Sequence, residues 1–75
     1  MQVSYDTEAD AIYVRFREPR GSVRTESIDD LRMVDRDDEG VIGVELLAVS
    51  RGLNLTGLPE ADRIAVAIRS IPQPA

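Results

Sequence analysis

The chain has no cysteine, no histidine and no tryptophan, and all nine of its basic residues are arginine. Without thiols there is no disulfide, thiolate nucleophile or cysteine-ligated zinc site. Without imidazole the usual general base near neutral pH and the commonest transition-metal ligand are missing, so Ser–His–acid and Cys–His machinery are excluded. Schiff-base chemistry and a lysine base need an ammonium that the chain does not carry. Biased codon usage is the simplest source of arginine without lysine. Any catalysis must then run on carboxylates, hydroxyls, arginine or an oxygen-held metal. The composition therefore argues against an enzyme and implies no cofactor.

Aromatic residues are equally scarce, with two tyrosines and one phenylalanine. A sheet that reads RNA stacks aromatics on adjacent strands in a basic setting. Here fourteen acids outnumber nine bases, for a net charge of −5, and that balance repels phosphate. No nucleic-acid partner is expected. The longest apolar run, Ile64–Ile68, is far too short to cross a bilayer. The opening MQVSYDTEAD has neither the basic start nor the apolar core of a signal peptide. The expectation is a cytoplasmic protein with no membrane partner.

What remains is a single small domain over residues 1–75, with Pro72–Ala75 expected to fray because closely spaced prolines discourage regular structure. Domains of this size bury only about 60% of their unfolded surface, and many gain further burial from a partner or a second copy. Alternation organises the sequence into strands. Gln2–Tyr5 places Val3 and Tyr5 on one face. Ala11–Arg17 is the clearest case, with Ile12, Val14 and Phe16 on one side and Tyr13, Arg15 and Arg17 on the other. Ser22–Ile28 has a weaker pattern and is left open between strand and loop. Leu31–Asp35 follows, with Leu31 and Met33 sharing a side. After the turn Asp37-Asp38-Glu39-Gly40, the strand Val41–Ala48 is apolar on both faces, with Ile42, Val44 and Leu46 on one and Val41, Gly43, Glu45 and Leu47 on the other. This predicts a central strand covered on each side, by a helix and by a second subunit.

Residues 49–58 read as an ordered connection lying on apolar surface. From Pro59 to about Ser70 the spacing predicts a helix, with Pro59 and Glu60 in its first turn. Ile64, Ala67, Ile68 and Ile71 form one stripe. The fold class is α+β: a small antiparallel β-meander of four to five strands with one C-terminal helix.

Two blocks carry a resemblance. Tyr5-Asp6-Thr7-Glu8-Ala9-Asp10-Ala11-Ile12-Tyr13-Val14 and Val34-Asp35-Arg36-Asp37-Asp38-Glu39-Gly40-Val41-Ile42-Gly43-Val44-Glu45-Leu46-Leu47 resemble the hallmarks of the short bacterial domain-of-unknown-function family 2283, over roughly residues 3–50. The resemblance implies a small β-rich domain with no established activity and no defined functional residues. It also implies a small protein partner, toxin-like or nuclease-like.

The acidic turns suggest a cation. A D-x-D-x-D-G calcium loop needs alternating oxygens, a turning glycine and a closing bidentate glutamate. Asp35, Asp37, Glu39 and Gly40 match its first half, but the closing position holds Leu46, and the flanks read as strands. A solvated hairpin turn explains the same residues, so no metal site is favoured; Asp35, Asp37 and Glu39 are the ligands if one exists. Asp6, Glu8 and Asp10 would join them only if both turns left the same end of the sheet. Tyr13, Arg15 and Arg17, with Arg32 and Glu45 expected on the same face, are residue types common at binding hot spots and on solvated sheets alike. On the helix, Ile64 and Ile68 are core residues first and dimer contacts second. The expected function is a non-enzymatic protein–protein interaction module that self-associates as a dimer. The alternative is divalent-cation or small-ligand binding by the acidic turns.

Overall fold

The computed structural model describes residues 1–70. Ile71 and the tail at 72–75 lie outside the described residues. Five strands form one sheet: β1 (Gln2–Asp6), β2 (Ala11–Arg15), β3 (Arg24–Asp29), β4 (Arg32–Asp37) and β5 (Gly40–Leu46). A single 3-10 turn (Val49–Arg51) and the helix α1 (Ala61–Arg69) follow. The strand order is β1-β2-β5-β4-β3, antiparallel throughout. The α+β class stands, and β3-β4-β5 is a meander. The β1–β2 hairpin adds on the other side of β5, so the link from β2 to β3 must cross the end of the sheet.

Alternation sets the covered face. Val14 lies opposite Val44, which in turn lies opposite Val34, and Ile12 lies opposite Leu46. These five side chains are buried together with Leu58, Ile64 and Ile68 in one cluster. Ile64 and Ile68 of the helix stripe thus pack on their own sheet. Val3, Tyr5 and Phe16 flank the cluster half-buried, as their alternation predicts. Arg32 ties the connection after β5 to the same face, its guanidinium donating to the Asn54 and Thr56 carbonyls.

Several expectations need correction. Ser22–Ile28 is a strand shifted to Arg24–Asp29, an edge strand exposed at all six positions. Leu31 lies in the β3–β4 turn, 45% exposed, and Val34 supplies the core contact of β4. The helix starts at Ala61, with Glu60 just before it in a left-handed conformation (φ 53°) and its carboxylate bound to Arg63.

The doubly apolar look of β5 also has a local cause. The ladder to β4 steps from Gly43–Asp35 to Val41–Arg36, passing over Ile42. That bulge turns Val41 toward the core cluster, since the extra residue reverses the alternation. The other face of β5 is left with Gly43 and Glu45, and with Leu47 just past the strand end, half-buried beside Glu45, so the strand itself presents no apolar stripe there.

Ile64 is completely buried, whereas Val66, two residues on, is 60% exposed. Ile64→Ala should cost about 2–5 kcal/mol, a large share of a stability of order 4–11 kcal/mol for such a chain. Val66→Ala should stay within about 0.5 kcal/mol. Urea denaturation of the two variants checks the difference.

Candidate functional site

Among the described residues no second layer of secondary structure covers the sheet face opposite α1. On it the register sets Arg15, Gly43, Asp35 and Thr25 in a row across β2, β5, β4 and β3. Tyr13, opposite Glu45, leans across Gly43 so that its hydroxyl donates to Asp35 Oδ2 at 2.9 Å. Thr25 Oγ1 donates to Asp35 Oδ1 at 2.6 Å, and the Arg15 guanidinium lies 5.8 Å from the centre of the tyrosine ring, within cation–π range. Only glycine permits this. A Cβ at position 43 would stand 2.6 Å from the Val14 carbonyl oxygen and 2.7 Å from the Tyr13 hydroxyl. Gln2, Val3, Ser4, Tyr13 and Arg15 line a shallow depression on the same face.

A second cluster holds the end of the sheet where the β2–β3 link crosses. The Asp37 carboxylate is buried, with 1% exposure. Arg17 grips it with both nitrogens, at 2.7 and 2.8 Å. The Arg20 and Glu39 backbone N–H groups donate to it at 2.7 and 2.9 Å. Every strong acceptor direction is therefore used inside the protein, and no buried side-chain polar atom among the described residues lacks a partner. The Arg17 guanidinium, and then the two backbone donors, hold the Asp37 carboxyl well below the usual carboxylate range, against the opposing effect of desolvation.

These placements separate the residues singled out from sequence. Tyr13, Arg15 and Glu45 do share the open face. Arg32 does not: it lies opposite Leu46, one residue out of phase with Met33 and Glu45. Arg17 lies beyond the end of β2 and is committed to Asp37. Ile64 and Ile68 are core. Asp35, Asp37 and Glu39 do not converge. Asp35 is held by Tyr13 and Thr25, Asp37 by the Arg17 cluster, while Glu39 faces Arg20 at 3.6 Å.

Nor do the two acidic turns meet. Because β2 runs antiparallel to β5, the turn before β2 and the turn before β5 stand at opposite ends of the sheet. Asp6 accepts from the Glu8 and Ala9 N–H groups, and Asp10 from Ser50. No group of three acids among the described residues is placed to hold a metal ion. The Asp37 clip was missed from sequence, where Asp37 looked like one more turn acid. Its signal is slight: a single arginine, Arg17, continuing the alternation just past a strand end.

The fold and its polar face define an acidic, single-sheet α+β domain with an arginine–tyrosine surface. The chain belongs to a protein family of unknown function (DUF2283), whose model matches residues 2–50. No curated protein and no solved structure matches. The matched span holds all five strands and the Asp37 clip and ends ahead of α1.

Both clusters can be titrated. An unfolded aspartate ionises near pH 3.9, whereas folded Asp37 does so lower. Its contribution to stability is therefore complete above about pH 5 and falls away as the pH drops below about 4. Asp37→Asn should lower the urea midpoint at pH 7 and flatten the decline between pH 5 and 3. Burial first, and then Asp35, push the Tyr13 phenol above its ordinary 10, with Arg15 opposing. In an absorbance titration at alkaline pH on a Tyr5→Phe background, Asp35→Asn should move the Tyr13 step down and Arg15→Ala should move it up.

Proposed function

We propose that the chain works by binding protein rather than by transforming a substrate. It is a non-enzymatic, cytoplasmic interaction module that self-associates and presents its open sheet face to a small protein partner. The observation that carries this reading is the Tyr13–Arg15 surface. Its aromatic ring is fixed by Asp35, seated over Gly43 and overlain by a guanidinium, on a face that no element among the described residues covers. Tyrosine and arginine held rigid are the side chains that most often dominate binding energy, because little conformational freedom is lost when they dock. Two acids first read as candidate ligands are occupied, Asp35 by Tyr13 and Thr25, and Asp37 by Arg17 and two backbone donors. That supports a binding role over an acid–base one. The toxin-like or nuclease-like character implied by the family resemblance gives the partner class to look for.

Tagged parent chain and an Arg15→Glu variant, purified gently from the source cells, test the reading by intact-complex mass. The parent should retain a second protein in stoichiometric amount. The variant should lose it by roughly tenfold or more at an unchanged melting temperature. Recovery of the parent chain alone, or equal retention by both, overturns the proposal.

A further inference from the structure

The two edges of the sheet are finished differently. Edge strand β3 carries three charges in six residues, Arg24, Glu26 and Asp29, and its ladder to β4 shifts between Ser27 and Asp29. Charges and a bulge are the devices that stop an edge from pairing with another chain. Edge strand β1, QVSYD, has neither proline nor bulge, pairs with β2 in unbroken register at all five positions, and is uncharged until its last residue.

The phase of its backbone can be worked out. Phe16 N–H donates to Ile42 C=O, which makes Phe16, Val14 and Ile12 the residues of β2 whose amides point toward β5. In an antiparallel ladder these directions alternate. Tyr13 and Arg15 therefore bond to Ser4 and Gln2, and the N–H and C=O groups of Val3 and Tyr5 point away from the sheet.

From this geometry we infer that β1 is a self-pairing edge: two copies of the chain join antiparallel through Val3 and Tyr5 about a twofold axis at Ser4, giving one continuous ten-stranded sheet. The inference rests on the self-association part of the function proposed above and specifies its surface. A twofold at Ser4 sets Val3 opposite Tyr5 of the second copy, twice. That register uses all four outward backbone groups in hydrogen-bonded pairs and leaves the close Ser4–Ser4 pair between them, as antiparallel alternation requires. On the covered face it makes two aromatic–β-branched pairs, a favourable cross-strand combination. On the open face it sets Gln2 against Asp6, with no like charges opposed.

α1 packs over β1. Its Val66, the most exposed large apolar side chain at 60%, lines an apolar hollow with Met1 and Ala67, rimmed by one acid, Asp62, and one base, Arg63. The twofold at Ser4 sets Met1 opposite Thr7 of the second copy, so the contact is made by β1 and not by this hollow. Isologous contact of this kind closes at a dimer.

Sedimentation equilibrium of the parent, Ser4→Lys and Ile28→Lys from low to high micromolar concentration tests this. Ser4→Lys sets two ammonium groups face to face on the axis, while Ile28→Lys makes the same charge change at the far edge. The parent and Ile28→Lys should dimerise alike, and Ser4→Lys should raise the dissociation constant roughly tenfold or more. Hydrogen exchange reads the same contact without a variant: the Val3 and Tyr5 amides should gain protection as concentration rises. A dimer that persists in Ser4→Lys, with Val3 and Tyr5 exchanging freely, overturns the β1 pairing and leaves self-association standing. A parent that stays monomeric throughout overturns both.

Discussion

The buried Asp37–Arg17 pair fixes the one awkward step of this topology. Antiparallel hairpins need only local turns, but the link from β2 to β3 must travel from one half of the sheet to its far edge. It crosses at the end where the β4–β5 turn emerges, and there Asp37 holds it twice, through the Arg17 side chain and the Arg20 backbone. Glu39 N–H donates to the same carboxylate, so a single residue organises both the turn and the strap laid over it. The fit is close. A Cβ on Gly21 would strike the Asp38 carboxylate, and Gly21 has a φ of 80°. A charge removed from water is costly unless its hydrogen bonds are satisfied, and this one is satisfied by four protein donors.

With the strap in place the sheet has two unlike faces. One gathers β-branched residues from three strands under Leu58, Ile64 and Ile68. The other carries polar and small groups whose arrangement depends on Gly43. A larger residue there would fill the space over which Tyr13 reaches Asp35, and the row from Arg15 to Thr25 would lose its middle. The same glycine is buried although it lies on the open face of β5. Its burial comes from a tyrosine of the neighbouring strand, not from another layer.

What could be read from the sequence follows the range of the interactions. Strands β1 and β2, the existence of β5, Ile64 and Ile68 of the helix stripe and the covered face of β2 depend on alternation or helical spacing, and these were legible. Edge strand β3 was hard to read because neither of its faces is buried, so no hydrophobic period marks it. Arg32 was misplaced because Leu31 and Met33 read as the covered side of β4, whereas Val34 supplies it, and a shift of one residue exchanges the faces. The fate of the acids lay beyond local patterning altogether. Whether Asp35, Asp37 and Asp10 meet a cation or a donor within the chain depends on which strand ends come together. That is set by the β2–β5 pairing, about thirty residues apart in sequence.

The family match and the core divide the chain at different places. Residues 2–50 contain all five strands, the Asp37 clip and the Tyr13–Asp35–Thr25 row. Yet three of the eight residues in the buried cluster, Leu58, Ile64 and Ile68, come from after that span. The strand assembly and its open face are thus complete within the matched segment, but its apolar face is not. Ile12, Val14, Val34, Val44 and Leu46 form a surface that water would penalise by about 25 cal/mol for every Å² left bare. A domain built from that segment must therefore bring a cover, and here the chain supplies its own, tethered by the Arg32 hydrogen bonds to residues 54 and 56. Once the cover is fixed in this way, the sheet leaves its polar face and the edge of β1 open among the described residues.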